Sequence, residues 1–410
     1  MWFLKKSEPV TEKLSQTVRL AHQSLLARED LGFKSKERLE NAFSESQSHT
    51  SFFQNKKKIV VIGMGGSSLG TKALYHSLWP FDREQHLLFL DNVDGFCLDQ
   101  ILDSFKASDL NDVGWLLCSK SGGTIEVLSL YDYSHEFFQK KYSHSILANT
   151  VVICGSQASP LSTFCKEHSL PRLNIPIDVG GRFSVFSPVG IFPLLFMGID
   201  LAAVRSGFFR ALEDEKMVCD LSALLLHAIY EKTNSFYCFH YSERLSSWSL
   251  WLQQLWSESL SKKVTHTGGN APMVSTFVSC RGASDQHSVL QQVIEGREKK
   301  VVGFIRVKSS EQSRFQISKS LFGKSLLEGR NLGELLAAEV IATELASQQA
   351  GLKTFCLETE ELNETSMAYL MGLWMMTIGV LGEALEIDAF NQPGVESGKI
   401  IARRVLTDSH

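Results

Sequence analysis

Paired cysteines are missing from this 410-residue sequence. Its eight cysteines stand singly at positions 97, 118, 154, 165, 219, 238, 280 and 356, and none forms a C-x-x-C pair. Neither a zinc site nor a disulfide framework is expected, and a reducing cytoplasmic setting fits the pattern. An excess of basic charge is missing as well. Lys and Arg number 41 against 45 Asp and Glu, a formal net charge of −4 that argues against nucleic acid as the main partner. The opening "MWFLKK" has too short an apolar run, with its lysines on the wrong side, for a signal peptide. The uncharged stretch Met367 to Gly382 falls short of the roughly 18–20 apolar residues that span a bilayer. Glu364 and Glu383 flank it with no basic anchor, so it reads as a buried core helix, and no membrane partner is expected.

What remains is an ordinary globular composition, 44% hydrophobic and 21% charged, on a chain long enough for two or three domains. Short apolar runs at 57–63, 86–92, 115–120 and 150–155 read as buried parallel strands, separated by stretches of helix length such as 69–79 and 124–141. A second series of runs follows at 235–242, 272–280, 299–307 and 353–358, with helices expected over 205–232, 244–261, 333–350 and 365–386. The alternation predicts an α/β chain built as two doubly wound α-β-α sandwich domains with mainly parallel sheets. The expected division is a helical N-terminal segment 1–50 packed on the second domain, a first domain over 51–204, a second over 205–385, and a C-terminal segment 386–410. Residues 1–50 show a helical pattern and no strand.

In open parallel sheets ligands bind beyond the carboxyl ends of the strands. Two strands of the first series end there in unusual loops: "VVIGMGGSSLG" supplies Gly63, Gly65, Gly66 and Ser67, and "WLLCSKSGGTIEV" supplies Ser119, Lys120, Ser121 and Thr124. Each puts backbone N–H groups and hydroxyls at a helix start, where the dipole favours an anion. A dinucleotide fingerprint fails, because Ser68 stands where a third glycine is needed, and no G-K-[ST] ends either loop. A single phosphate monoester suits the pair better than a nucleotide.

Further residues have proton and charge chemistry within reach. In "DVGGRFSVFSPVG", Arg182 follows a Gly-Gly turn; it reads either as a solvated surface arginine or as a cation aimed at developing negative charge. In "WLQQLWSESLSKK", Gln254 and Glu258 share one helical face in a polar neighbourhood with Gln253, Ser257 and Lys262, which a merely solvated face would also explain. His287 stands near a helix start in "GASDQHSVLQQVIEG", and Lys399 on a terminal helix after "NQPGVESGK"; taken alone, both are ordinary surface residues.

These segments, in this order, resemble the phosphoglucose isomerase (glucose-6-phosphate isomerase) family, which is built from two sugar-isomerase (SIS-type) domains. The resemblance rests on "GMGGSSLG", "SKSGGTIE", "VGGRFSVFSPVGIFPL", "QQLWSES", "DQHSVLQQVIEG" and "FNQPGVESGK", spanning residues 63 to 399. It implies an aldose–ketose isomerase acting on glucose-6-phosphate and fructose-6-phosphate through ring opening and a cis-enediol, with no metal and no cofactor. It implies that Ser119, Lys120, Ser121 and Thr124, assisted by Gly66 and Ser67, cradle the sugar phosphate. Glu258 matches the base that moves a proton between C2 and C1, and Arg182 the arginine beside the C1 and C2 oxygens. His287 and Lys399 match the ring-opening pair, and Gln254 and Gln392 polar substrate contacts. A homodimer is implied, with His287 reaching the site across the interface. The sequence departs from the family pattern at Val127, Ser261 and Asn391. A phosphomannose or dual-specificity isomerase, and a sugar-phosphate sensor without catalysis, are the alternatives.

Overall fold

The computed structural model describes residues 1–78, 85–323 and 326–408. Among the described residues, ten strands fall into two five-stranded sheets. In chain order they are β1 (Phe3–Lys6), β2 (Lys58–Gly63), β3 (His86–Leu90), β4 (Val113–Ser119), β5 (Thr150–Gly155), β6 (Arg172–Ile175), β7 (Ser235–Tyr241), β8 (Thr276–Arg281), β9 (Lys300–Val307) and β10 (Lys353–Thr359). The first sheet has the order β3-β2-β4-β5-β6 and is parallel throughout. The second has the order β1-β10-β9-β7-β8, parallel except for β1. The eight strands read from apolar runs are all present, because a parallel strand covered on both faces must be apolar along its length. Strand β4, for instance, is buried at every residue.

Two strands escaped the sequence reading. The N-terminal segment does carry one: β1 pairs antiparallel with β10, Phe3 opposite Glu358, and Lys5 forms a 3.0 Å ion pair with Glu358. Four mostly exposed residues on a sheet edge leave no hydrophobic pattern to read. Strand β6 is equally short. The expected helix 205–232 is two helices, Leu201–Glu213 and Glu215–Tyr230. They part at Asp214, whose side chain caps the second by accepting from Met217 N at 3.0 Å. The stretch expected as helix 69–79 is helical over Leu69–Leu78, and position 79 lies outside the described residues.

The N-terminal helix Glu12–Ala27 packs on the helices Glu215–Tyr230 and Glu364–Ala384, whereas Lys36–Ser48 packs on Pro188–Phe196 beside the first sheet. The helix Glu364–Ala384 contains the whole uncharged stretch, buried from Ser366 to Gly382 against the helices of the second sheet. One large apolar cluster runs from this helix through Trp248, Trp251, Leu252 and Leu255 to Ala73, Leu74 and Val185, binding the two sheets' layers together. At the same contact His76 Nδ1 lies 2.6 Å from Ser247 Oγ, and Ser77 Oγ donates to Arg244 O at 2.9 Å. The helix Leu69–Leu78, which follows the first glycine loop, is thereby fixed to Ser246–Leu260, which carries Glu258.

Candidate active site

In the first sheet β2 lies between β3 and β4, so the strand order reverses between β2 and β4. Their carboxyl ends flank the crevice this topology offers to a ligand. The two loops that leave there are the "GMGGSS" and "SKSGGT" segments. Ser119 is buried at the end of β4, and its Oγ lies 2.8 Å from Thr124 Oγ1 and 3.4 Å from Ser121 Oγ. The loop is further closed by Gly122 N donating to Ser119 Oγ at 3.2 Å and Gly123 N to Ser121 Oγ at 3.3 Å. Gly122 holds a φ of +63°, and a Cβ there would meet Ser159 Oγ at 2.1 Å, so only glycine fits. Lys120 reaches Ile177 O at 3.1 Å. Burial and the nearby Arg182 cation lower its ammonium pKa, against the pull of Asp178.

The first glycine loop touches the arginine turn directly. A Cβ on Gly66 would lie 2.2 Å from the carbonyl carbon of Gly181, and Ser184 Oγ donates to Gly66 O at 3.3 Å. On its other side, Gly65 comes so near Gln254 that a Cβ would lie 2.9 Å from Gln254 Nε2. Four segments distant in sequence therefore converge: both loops, the Gly181–Phe186 turn and the helix Ser246–Leu260.

Arg182 stands at the centre of this convergence. It is not the solvated surface residue that its turn could equally have carried, since its side chain is only 1% exposed. All five of its N–H donors have partners. Nε donates to Ser259 Oγ at 2.7 Å, and Nη1 to Glu258 Oε2 at 3.2 Å and to Gln392 Oε1. Nη2 donates to Ala389 O at 2.6 Å and Asn391 O at 3.1 Å. Burial lowers the arginine pKa while the Glu258 carboxylate opposes that shift. A buried cation survives only with such pairing. Glu258 is half-buried, and its second oxygen accepts from Gln254 Nε2 at 3.0 Å. Gln254 Oε1 is buried with no hydrogen-bond partner among the described residues.

The chain thus brings together Arg182, Glu258, Gln254, Gln392 and the two loops. His287 it does not join to them: it sits exposed on the short turn Ser284–His287 after β8, and among the described residues it makes no hydrogen bond to Glu258, Arg182 or Gln254. Lys399 is exposed on the C-terminal helix Glu396–Asp408. Sequence reasoning missed Ser259 and the carbonyls of Ala389 and Asn391, each an Arg182 acceptor. A backbone carbonyl carries no residue signature, and a serine inside a helix is too common to stand out.

The departures from the family pattern are locally harmless. Val127 is wholly buried in the core of the first sheet, so the missing hydroxyl there is a matter of packing. Ser261 caps its helix at φ −78°, where glycine is not required. Asn391 serves Arg182 through its backbone. Among the described residues one trio, His22, Glu215 and Cys219, has ligating atoms within 4.8 Å of one another, but it lies on other helices. Burial pushes its Cys219 thiol up to about 11, a poor metal ligand in that state.

The family model for phosphoglucose isomerase matches residues 34–410. The glucose-6-phosphate isomerase of Campylobacter jejuni is 34% identical over 368 residues, 87% of each chain. That of Methanocaldococcus jannaschii is 30% identical over 360 residues, 85% of this chain and 84% of its own. Among solved structures, a hypothetical protein from Thermus thermophilus superposes with a TM-score of 0.85 at 29% identity, covering 98% of this chain and all of its own. A glucose-6-phosphate isomerase from Chlamydia trachomatis shares the fold, with a TM-score of 0.75 at 21% identity over 98% of this chain and 79% of its own. The chain belongs to the phosphoglucose isomerase family.

Proposed function

We propose that this chain is a glucose-6-phosphate isomerase that interconverts glucose-6-phosphate and fructose-6-phosphate, with Glu258 as its proton shuttle. The observation that carries the reading is the Arg182–Glu258 pair, held beside two hydroxyl- and glycine-rich loops at the first sheet's switch point. Phosphate held by Ser119, Lys120, Ser121 and Thr124, with Gly66 and Ser67 opposite, fixes the far end of the substrate and supplies positioning energy. Glu258 removes the proton from C2 of the open-chain aldose and returns it to C1. The negative charge that builds on the enediol oxygens is offset by Arg182. Since every Arg182 donor already has a protein acceptor, a substrate oxygen gains Nη1 only by replacing Glu258 or Gln392 there. The unpartnered Gln254 Oε1 suits a sugar hydroxyl.

Ring opening falls to His287 and Lys399. The exposure of His287 supports its use from a second subunit, so the working form is a homodimer. The same reading divides the chain into an N-terminal segment 1–50, SIS-type domains over 51–204 and 205–385, and a C-terminal segment 386–410. It places the enzyme in the cytoplasm, in glycolysis and gluconeogenesis. One carboxylate suffices for the proton transfer, so no metal or nucleotide is needed. The test follows fructose-6-phosphate with both aldose products monitored, with and without EDTA. Glucose-6-phosphate should form at the same rate in both conditions. Mannose-6-phosphate formed at a comparable rate, or activity lost to EDTA and restored by a divalent ion, would contradict the reading.

A further inference from the structure

Lys262 follows the last turn of the helix Ser246–Leu260 and belongs to none of the roles above. Its Nζ donates to the carbonyl oxygen of Glu258 at 2.8 Å, and also to the carbonyl oxygen of Asn391. The first acceptor is one of the carbonyls left open at a helix C-terminus, where the dipole favours a cation. It is also the backbone of the proposed base. The second acceptor is the oxygen that Arg182 Nη2 reaches at 3.1 Å, so Asn391 O takes hydrogen bonds from two cations at once. Asp388 braces the same loop, its Oδ1 accepting from Phe390 N at 2.9 Å and its Oδ2 from Asn391 Nδ2 at 2.6 Å. That loop delivers Gln392 to Arg182.

We propose that Lys262 is a positioning residue for the isomerisation: by joining the backbone of Glu258 to that of Asn391, it holds the base, Arg182 and Gln392 in one frame. The proposal rests on the reading of Glu258 as the base. Lys262 touches no reacting group and acts through its neighbours. The charged groups facing it are Arg182 from the Gly181–Phe186 turn, Asp388 from the loop after the long buried helix, and Glu258 from its own helix. Burial first, and then Arg182, lowers its pKa to about 8, with Asp388 and Glu258 opposing. The brace is therefore charged below about pH 8 and neutral above it, where its hydrogen bonds lose their charge assistance. A fall in kcat through that range follows.

The test compares wild type, Lys262→Met and Lys262→Arg by kcat, KM, pH profile and thermal melt. Lys262→Met should lower kcat about 10- to 100-fold, the scale of a small misplacement at a reacting centre, while KM stays within about 3-fold. Its alkaline limb near pH 8 should vanish. Lys262→Arg should recover most of kcat and carry that limb upward by at least about one pH unit, since a guanidinium stays charged. A folded Lys262→Met enzyme with kcat within about 2-fold of wild type would overturn the assignment. So would a variant that loses melting temperature while keeping wild-type kcat and pH profile. Should Lys262→Met fail to fold, the arginine variant decides alone: a displaced limb supports the assignment and an unmoved one overturns it. A wild type without isomerase activity overturns the functional reading and this assignment together, whereas an active enzyme indifferent to Lys262 overturns this assignment alone.

Discussion

The first four parallel strands of each sheet repeat one order and use it differently. In each, the first parallel strand lies between the second and the third, so β2/β4 and β7/β9 are equivalent switch points. At β2/β4 the strands run out into glycines and hydroxyls, and Lys120 has no carboxylate within ion-pair distance among the described residues; its ammonium rests on a carbonyl. At β7/β9 the cations at the end of β9 are paired with carboxylates. Arg306 pairs with Glu311 and, at 3.2 Å, with Glu358; Lys308 pairs with Glu358 at 3.3 Å and with Glu360 at 2.6 Å. Ser310 Oγ donates to Ser242 Oγ at 2.9 Å across the same end. Shared topology thus ends in different surroundings: hydroxyls, glycines and a lysine on a carbonyl at the first switch point, carboxylate-paired cations at the second. What the second sheet contributes is the helix after β7, which carries Glu258 across to the first.

Four substitutions can break or sharpen this contrast. The largest effect is expected from Glu258→Gln, which keeps the side chain's size and one of its two acceptor oxygens but removes the base and its charge. Its kcat should fall by about 10²- to 10⁴-fold with KM little changed; steady-state kinetics in both directions checks this. Next is complementation. Dimers mixing Glu258→Gln and His287→Ala chains should regain up to one wild-type site, while verified heterodimers that stay inactive would mean that both residues act from one chain. At the first switch point, Lys120→Ala should raise KM roughly 10- to 150-fold, the worth of one charge-assisted hydrogen bond; a wild-type KM would remove the phosphate from that loop. The smallest effect is expected at the second switch point, where Ser310→Ala should leave kcat and KM within about 2-fold. A large rise in KM there would mean that the second sheet binds substrate too.

Much of this contrast could be read in the sequence, because it rests on short, local patterns. Buried parallel strands must be apolar throughout, so β2, β4, β5, β7, β9 and β10 announce themselves, and glycine loops after a strand mark its ligand end. Strand β1 could not be read, since an exposed edge strand of four residues obeys no burial constraint. Glu258 and Arg182 could be proposed, yet their pairing could not: they lie 76 residues apart, and only folding sets them at 3.2 Å. The same holds for the Ala389 and Asn391 carbonyls and for Lys262, whose roles depend on where the backbone passes. The burial of Arg182 was likewise undecided, because a Gly-Gly-Arg turn serves a solvated arginine as readily as a buried one.

The central claim is that Glu258 moves the proton. Exchange of the C2 hydrogen of the substrate with deuterated solvent reads that step directly, independently of product release. Ring opening is assigned to other residues and should persist in Glu258→Gln, so substrate still reaches the open-chain form. The account predicts that the variant binds substrate, opens the ring and loses C2 exchange by at least about 10²-fold. Exchange at the wild-type rate would mean that another group is the base.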